Sequence, residues 1–394
     1  MGTSSDPVAV IGGGVVGCAV AHALTRRGVE AVVLEAEPGL ALGASGANSG
    51  ILHTGFDSRP GELETRLILR SATLREELLD ELGVAVWRCG ARLVAVGRDD
   101  EHAVIGRLAQ NARANGVEAH LEKDGSLMVP GEAVTDPAAF VHALAAAAQA
   151  GGAEVRLSAR VSGLGRSADG GLEVELQSGE TLHVRAAVNC AGLFADDLAR
   201  LANDDLLTVY PRKGEFLVFS PPPGEGLEQI MLPVPSRLGK GVLVFPTIDR
   251  LIIAGPTARE REDKRDWSVE PDAAELILAA ATRMYPPLRG AGQIGSYAGL
   301  RPAGRDAAGR EASYVIRMSS TLPALLHVAA IRSTGLSASL GIGEYVVGQL
   351  ADRALIELEE PRALPAPASS PPAHPWWERT ARYHGTSAPA QEER

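Results

Sequence analysis

One stretch near the N-terminus limits what this chain can fold into more than any other. From Val8 to Glu35 it reads VAVIGGGVVGCAVAHALTRRGVEAVVLE: a β-branched run, a glycine turn, a small-residue helix pattern, a second apolar run and an acid. The glycines Gly12, Gly14 and Gly17 follow the spacing G-x-G-x-x-G. This order of elements is typical of the βαβ unit that binds a dinucleotide.

Each part of this unit has a physical role. Gly12 permits the tight turn, Gly14 lets backbone N–H groups approach a pyrophosphate, and Gly17 lets the helix pack closely on the strand. The helix N-terminus adds partial positive charge near the phosphates. Glu35, eighteen residues after Gly17, can accept hydrogen bonds from ribose hydroxyls and would repel a 2′-phosphate. The stretch therefore predicts a site for NAD or FAD.

Size, charge and cysteine content narrow the class of protein. At 394 residues the chain exceeds what one core usually holds, so we expect two domains. The formal net charge of −11 argues against a nucleic-acid partner, although local arginines can still bind an anionic substrate. The cysteines, Cys18, Cys89 and Cys190, are far apart, which excludes a disulfide framework, a cysteine zinc site and a cysteine-ligated iron–sulfur cluster within this chain. We expect a reducing compartment and no metal site.

The distribution of apolar residues bears on the location of the protein. The sequence contains no run of about 18 apolar residues. Residues 1–7 are polar and do not resemble a signal peptide. These features predict a cytoplasmic protein that is at most peripheral to the inner face of the membrane.

Motifs beyond the first unit identify a family. Residues 44–67 read ASGANSGILHTGFDSRPGELETRL, residues 299–302 read GLRP, and residues 331–339 read IRSTGLSAS. With the N-terminal glycines, these motifs resemble the FAD-dependent oxidoreductases of the glycine-oxidase and glycerol-3-phosphate-dehydrogenase superfamily. Within it the chain is most similar to the branch that holds bacterial glycerol-3-phosphate oxidases and dehydrogenases and L-2-hydroxyglutarate dehydrogenases. The resemblance covers about residues 7–355 and makes FAD the expected cofactor.

The resemblance implies an α/β fold, with a Rossmann-type FAD-binding domain and an α+β substrate domain built on a mostly antiparallel sheet. We expect the FAD-binding domain to be discontinuous and to comprise residues 7–82, 138–210 and 322–358. The substrate domain would comprise residues 83–137 and 211–321. Residues 359–394 are rich in Pro and Ala without periodicity, which predicts a mobile tail with Trp376 and Trp377 as candidate anchors.

The cofactor-binding residues that the resemblance implies outside the first unit form two groups. Those expected to donate to phosphate or ring oxygens are Ser45, Asn48 and Ser49. Those expected to contact the cofactor through backbone atoms are Val161 near the adenine, Ala191 and Gly192 in a small-residue turn, and Gly335, Leu336 and Ser337 at the flavin pyrimidine edge. Because no cysteine lies in either flavin-edge loop, we expect no covalent tether to the flavin.

The catalytic residues that the resemblance implies suit the oxidation of an anionic alcohol. His53 is the candidate base, since an imidazole with an ordinary pKa of about 6.5 can take a proton near neutral pH. Arg332 and Arg301 are the candidate anchors for a phosphate or carboxylate, which a guanidinium can bind with two parallel hydrogen bonds. Lys264 lies in a charged run and is expected to reach over the same pocket.

These residues lead to one preferred function and several alternatives. The preferred reaction is the oxidation of glycerol 3-phosphate to dihydroxyacetone phosphate by hydride transfer to flavin N5. L-2-hydroxyglutarate or another 2-hydroxy acid needs the same base and the same arginines. Amine or amino-acid oxidation, and an inert flavin-binding subunit, remain as further alternatives. The sequence leaves open the oligomeric state and whether oxygen, a quinone or a redox partner accepts the electrons.

Overall fold

The structure is a computed structural model and describes residues 6–222, 224, 226–235, 240–364 and 374–386. The strands in these residues are β1 (Val8–Ile11), β2 (Ala31–Leu34), β3 (Ile51–Leu52), β4 (Val86–Trp87), β5 (Ala91–Val94), β6 (His120–Leu121), β7 (Leu127–Val129), β8 (Ala133–Thr135), β9 (Glu154–Arg156), β10 (Val161–Arg166), β11 (Leu172–Leu176), β12 (Thr181–Val184), β13 (Ala186–Asn189), β14 (Thr208–Ser220), β15 (Ile230–Pro233), β16 (Leu243–Pro246), β17 (Ile252–Gly255), β18 (Arg259–Glu260), β19 (Gly292–Arg305), β20 (Glu311–Ala312), β21 (Val315–Met318) and β22 (Leu325–Ala329). The α-helices are α1 (Val15–Thr25), α2 (Leu63–Glu81), α3 (Glu101–Ala114), α4 (Pro137–Ala150), α5 (Ala195–Leu201), α6 (Ala273–Met284), α7 (Gly335–Ala351) and α8 (Trp376–Tyr383). Short 3₁₀ helices cover Gly192–Phe194 and Pro286–Gly290.

The first sheet carries the N-terminal glycine turn at the end of its central strand. Its six strands follow the order β21-β22-β13-β1-β2-β9. β1 pairs in parallel with β13 and β2, so that Val8 lies opposite both Ala186 and Ala31. β22 and β9 continue the parallel pairing, whereas β21 is antiparallel to β22. β1, β2, β13 and β22 are buried along their whole length, as parallel strands usually are. The predicted Rossmann-type sheet is confirmed.

Small residues let the helices of this region approach one another closely. α7 packs against α1 and α2, and α1 also packs against α4. A Cβ atom at Gly343 would lie 2.6 Å from the carbonyl oxygen of Ala19 in α1, and one at Gly341 would overlap the carbonyl oxygen of Leu67 in α2. Side chains at these positions would push the helices apart. The glycine- and alanine-rich helix patterns therefore reflect close packing.

The second large sheet supplies the opposite wall of the central cavity. Its ten strands follow the order β20-β19-β14-β17-β16-β15-β5-β7-β6, with β18 paired to β14. β14 and β19 have 13 and 14 residues and pair in antiparallel register from Thr208–Arg305 to Ser220–Gly292. Only the pairing of β15 with β5 is parallel among the described strand pairs of this sheet. The predicted α+β region with a mostly antiparallel sheet is confirmed.

Some strands pair across the predicted domain boundaries, but strand pairing alone does not test how the chain divides into domains. β21 (Val315–Met318) belongs to the six-stranded sheet, although the predicted boundary groups residues 211–321 with the substrate domain. Two small sheets complete the fold: β10-β11-β12, and β3-β8-β4, which pairs residues on either side of the predicted boundary at residue 82. The proposed division of the chain stays a prediction.

The C-terminal region contains a packed helix where the sequence predicted a mobile tail. Residues 365–373 and 387–394 of this tail lie outside the described residues. In α8, the Trp376 and Trp377 side chains are buried, with exposed fractions of 2% and 5%. The prediction of a mobile tail is therefore wrong for residues 374–386. The buried positions Trp376, Trp377, Thr380 and Ala381 follow helical spacing, a signal that the surrounding Pro/Ala-rich composition concealed.

The longest described helix, α2, is amphipathic. Its 19 residues bury one side, which includes Ile68, Ser71, Arg75 and Leu78, and expose the charges on the other. Within the described ranges of the chain, no helix has the length and apolar character needed to cross a membrane. The burial of Arg75 on the apolar side of α2 becomes important at the site below.

The contact between α7 and α2 predicts opposite effects for two glycines of α7. We expect Gly341→Ala to lower the free energy of unfolding by about 1–3 kcal/mol, because the added methyl group overlaps the α2 backbone. Gly348→Ala has open space around the new Cβ and should raise it by about 0.5–1 kcal/mol through helix propensity. Urea unfolding of both variants measures the difference. Equal effects of the two substitutions would contradict the close helix contact.

Candidate functional site

In the glycine turn after β1, backbone segments pack so closely that Gly12 and Gly17 have no room for side chains. Gly12 has φ +117, and a Cβ there would overlap the carbonyl oxygen of Cys190. A Cβ at Gly17 would overlap the carbonyl oxygen of Gly12. The turn is therefore held between β13 and the first turn of α1. Gly17 does not line the cavity described below; it acts by letting α1 lie against the turn.

Glu35 lies at the end of β2 and contacts the same turn. Its Oε2 accepts a hydrogen bond from the N–H of Gly13 at 2.6 Å, and its Oε1 accepts one from the N–H of Glu37 at 2.9 Å. Burial raises the pKa of the Glu35 carboxyl, while these backbone donors act in the opposite direction. The carboxyl group is thus fixed in orientation at the edge of the cavity, where a ribose of a dinucleotide would lie in the predicted site.

The loop that follows, residues 36–50, is organised by its own side chains. Ser45 Oγ accepts a hydrogen bond from the N–H of Val15 at 2.9 Å, at the start of α1. Asn48 Nδ2 donates to the carbonyl oxygen of Ser45 at 2.7 Å, and Asn48 Oδ1 accepts from the N–H of Gly50 at 2.7 Å. Ser49 Oγ accepts from the N–H of Ile51 at 3.4 Å. The Asn48 amide therefore shapes the loop rather than presenting both its groups to a ligand.

One cavity of about 2220 Å³ brings most of the predicted residues together between the two large sheets. The predicted residues that line it are Gly12, Gly14, Glu35, Ser45, Asn48, Ser49, His53, Val161, Ala191, Gly192, Lys264, Arg301, Arg332, Gly335 and Leu336. Gly17 and Ser337 lie outside this lining. Ser337 Oγ instead accepts a hydrogen bond from the N–H of His53 at 2.8 Å and so connects the start of α7 to the histidine loop.

His53 is held by a buried carboxylate. Its Nδ1 lies 2.8 Å from Oε2 of Glu132, and only 8% of the histidine and none of the Glu132 side chain is exposed. Burial raises the pKa of Glu132, but the opposing effects of His53 and of donors from Thr54 hold it below its ordinary value. An ionised carboxylate can only accept, so Nδ1 carries the proton and Nε2 is the nitrogen that can take another.

Glu132 and Arg75 are site residues that the sequence analysis missed. Glu132 Oε1 also accepts from the N–H and Oγ1 of Thr54, at 2.7 and 2.8 Å. Arg75 Nη2 donates to the carbonyl oxygen of His53 at 2.8 Å, and burial lowers the pKa of this guanidinium to about 10. Arg75 could have been recognised as a charge on the buried side of α2. Nothing in the sequence near Glu132 marks it, because its partner lies 79 positions away.

The three predicted cations differ in how far other groups already neutralise them. Lys264 Nζ lies 2.6 Å from Oδ1 of Asp196 and 2.8 Å from Oδ2 of Asp197. Arg332 Nη1 pairs with Glu311. Arg301 donates only to backbone carbonyl oxygens, and no described carboxylate forms an ion pair with it. Burial, with a smaller effect of the neighbouring Arg212, lowers the pKa of Arg301 to about 10. Arg301 is therefore the predicted anchor with unbalanced positive charge.

A second lysine, Lys240, lies close to His53 and was not predicted as a site residue. Its Nζ is 2.6 Å from Oδ2 of Asp57, and both residues line a small pocket together with His53. Burial lowers the pKa of Lys240, but Asp57 more than compensates and holds it above its ordinary value. This ion pair adds no net charge beside the histidine.

The buried Glu132 predicts a specific dependence of stability on pH. Because its pKa in the folded state is below the unfolded value of 4.5, its contribution is complete above pH 4.5 and is lost as the pH falls through the folded-state pKa. We expect Glu132→Gln to lower the free energy of unfolding at pH 7 by about 3 kcal/mol. The difference from the wild type should shrink below pH 4.5 in urea titrations.

The exposed Glu76 on α2 offers a matched control for this experiment. Glu76→Gln should change the free energy of unfolding by less than about 0.5 kcal/mol at every pH. A difference for Glu132→Gln that stays constant or widens as the pH falls would contradict an ionised, stabilising carboxylate.

Comparison with known proteins identifies the family to which this chain is similar. A family model described as FAD dependent oxidoreductase matches residues 7–349. A glycerol 3-phosphate dehydrogenase of Caloramator mitchellensis is 30% identical over 356 residues, which cover 86% of this chain and 72% of the relative. An L-2-hydroxyglutarate dehydrogenase of Escherichia coli K12 is 28% identical over 297 residues, or 70% of each chain.

A solved structure shares the fold over nearly its whole length. The dithionite-reduced L-alpha-glycerophosphate oxidase of Mycoplasma pneumoniae, with FAD bound, superposes with a TM-score of 0.83 and 26% identity. The match covers 93% of this chain and 99% of that one. The family match spans the glycine turn, the histidine loop and the start of α7, three of the segments that line the cavity. The chain belongs to the family of FAD-dependent oxidoreductases.

Proposed function

We propose that this protein oxidises a small anionic secondary alcohol, with glycerol 3-phosphate as the first candidate and His53 as the base. One observation carries the proposal: a single cavity contains an imidazole fixed by a buried carboxylate and a guanidinium that has no acidic partner among the described residues. The first group suits removal of a hydroxyl proton, and the second suits an anionic substituent. The similarity to a glycerol 3-phosphate dehydrogenase supports the choice of substrate.

The residues of the cavity fit FAD together with a small substrate. Small-molecule pockets usually have about 300–1,000 Å³, and this cavity has about 2220 Å³. The turn at Gly12 has no room for side chains, which leaves its backbone open to a close ligand. When bound, FAD supplies the acceptor for a hydride. The residues that would hold it are Gly12, Gly14, Glu35 and Ser45 for the dinucleotide and Ala191, Gly192, Gly335 and Leu336 for the flavin.

In the proposed reaction, His53 takes the hydroxyl proton on Nε2 while the carbon gives up its hydride. Glu132 keeps the other ring nitrogen protonated and stabilises the imidazolium that forms, because an opposite buried charge lies 2.8 Å away. The guanidinium of Arg75, bonded to the His53 carbonyl oxygen, offsets the charge of Glu132 before the reaction begins. Nε2, which forms no such bond to a described carboxylate, is the ring nitrogen assigned to the substrate proton in this proposal.

Arg301 would bind the anionic group of the substrate. Its guanidinium is fixed by the carbonyl oxygens of Arg212 and Thr257 at 3.0 Å each, so little side-chain entropy is lost on binding. An anion placed beside it would supply the counter-charge that the described residues around this buried guanidinium do not provide. A phosphate and a carboxylate both satisfy this requirement, so 2-hydroxy acids such as L-2-hydroxyglutarate are the second candidate substrates. The resemblance to an L-2-hydroxyglutarate dehydrogenase supports that alternative.

Anaerobic reduction of the purified protein tests the proposed reaction. Glycerol 3-phosphate, L-2-hydroxyglutarate, glycine and sarcosine are each added without oxygen, and the flavin absorbance near 450 nm is followed. We expect glycerol 3-phosphate to bleach it fastest. Reduction by the amines alone, or by none of the compounds, would overturn the proposal. Admission of air to the reduced protein then measures whether oxygen accepts the electrons.

The base is tested by His53→Asn, whose amide can still donate to Glu132. We expect kcat with an alcohol substrate to fall by about 10²–10⁴, the usual contribution of a positioned base. Flavin content should stay unchanged. His120→Asn, at an exposed histidine, should leave kcat unchanged. A His53→Asn enzyme with wild-type kcat on the alcohol would remove the histidine from the mechanism.

The anchor is tested by comparing Arg301→Gln with Lys264→Gln. Because Arg301 pairs with no carboxylate in the described part of the chain, its loss should raise KM for the anionic substrate about 10- to 100-fold, the equivalent of one or two charged hydrogen bonds. Lys264 is already paired with Asp196 and Asp197, so its loss should raise KM less than about fivefold. Steady-state kinetics of both variants decide the order, and a larger effect at Lys264 would refute the assignment.

A further inference from the structure

We propose that residues 374–386, here called the C-terminal strap, form part of the FAD site and hold the cofactor loop at residues 36–50 closed. The family match ends at residue 349, so the strap lies outside the matched region. Its last residues nevertheless line the cavity, through Tyr383 and His384. This inference concerns retention of FAD and is independent of which substrate the enzyme oxidises.

The strap forms hydrogen bonds to the cofactor loop at two positions. Thr380 Oγ1 donates to the carbonyl oxygen of Ala41 at 3.4 Å, and His384 Nε2 donates to the carbonyl oxygen of Leu42 at 2.9 Å. A Cβ at Gly46 would lie only 2.6 Å from Thr380 Oγ1, so loop and strap are in close contact. The same loop carries Ser45, which bonds to the first N–H of α1. The strap therefore restrains the segment that positions the dinucleotide end of the site.

Tyr383 extends this restraint to Glu37, two residues after the acid at the end of β2. Its hydroxyl donates to Oε2 of Glu37 at 2.5 Å, and Oε1 of Glu37 pairs with Arg160 at 3.1 Å. The N–H of Glu37 in turn donates to Glu35, the predicted ribose ligand. Tyr383 thus stands beside the residues that would contact the adenosine half of FAD.

The strap is itself anchored on the opposite side of the cavity. His384 stacks on Trp267, with ring centroids 4.2 Å apart, and Trp267 belongs to the segment between β18 and α6. Trp376 contacts the edge of Tyr297 in β19, and Trp377 covers Gly295 of the same strand. Arg379 bonds to His142 of α4 at 2.9 Å. The strap therefore connects the loop 36–50 to β19 of the ten-stranded sheet, to the segment before α6 and to α4.

These contacts lead to a simple physical expectation. The loop 36–50 lines the cavity on the dinucleotide side, so movement of this part of the wall makes the release of FAD easier. Each strap contact adds to the free energy of opening that wall. Loosening the strap should therefore accelerate FAD release more than it destabilises the folded chain.

The test measures FAD release from the full-length holoenzyme. Tyr383→Phe and His384→Ala are diluted into buffer with an FAD-binding trap, and the rise in flavin fluorescence gives the dissociation rate. We expect each variant to release FAD about two- to tenfold faster, the effect of losing one hydrogen bond. Arg382→Gln is the control, since Arg382 lies on the same helix and its exposed side chain pairs with Glu378 of that helix, not with the loop 36–50 as the structure describes it.

Thermal unfolding of the same proteins with and without FAD excludes a merely structural role. Relative to the wild type, we expect the melting temperature of each variant to fall more with FAD bound than without it. Weaker binding of FAD reduces the amount by which FAD stabilises the folded protein. Equal losses in both forms with an unchanged release rate would overturn the proposal. Tyr383→Phe is the mildest change and keeps the ring, so the test does not depend on a variant that fails to fold.

Discussion

The structure depends first on a backbone contact that only glycine permits. A Cβ atom on Gly17 would overlap the carbonyl oxygen of Gly12. A Cβ atom on Gly12 would in turn overlap the carbonyl oxygen of Cys190. Through these contacts the end of β1, the start of α1 and the turn after β13 meet at one point. The cavity wall for a dinucleotide follows from this meeting, because the glycine turn, Ser45 and Ala191 are all placed around it.

Charge balance in the interior is the second constraint on the site. Glu132 is fully buried, yet it remains ionised because His53, Thr54 and the nearby Arg75 compensate the loss of water. An isolated carboxylate at that depth would take up a proton and lose its hold on the imidazole. The cluster therefore fixes the orientation of the His53 ring, whereas Arg301 has no counter-charge among the residues that the structure describes.

Features that depend on neighbouring residues were predictable from the sequence. The glycine turn, the acid at Glu35 and the histidine loop each occupy one short segment, and the parallel and antiparallel sheets follow from the family that these motifs identify. Features that depend on distant partners were not. The bond of His53 to Glu132 joins the residue before β8 to a loop 79 positions earlier, and the neutralisation of Lys264 depends on Asp196 and Asp197. Helix α8 had a helical signal in its tryptophans, but its packing surface is formed by β19 and α4.

Strand β19 has a consequence for how the two ends of the site are related. Gly295, Tyr297, Gly299 and Arg301 alternate along it, so all four point to one face of the sheet. Gly295 lies against Trp377, and the hydroxyl of Tyr297 donates to the carbonyl oxygen of Asn48. Gly299 lies against the carbonyl oxygen of Ala47, and the guanidinium of Arg301 donates to backbone carbonyl oxygens. Adding or removing one residue within this span would turn part of the row to the other face. The distance from the C-terminal helix to Arg301, the proposed anion anchor, is therefore set by the spacing of a single strand.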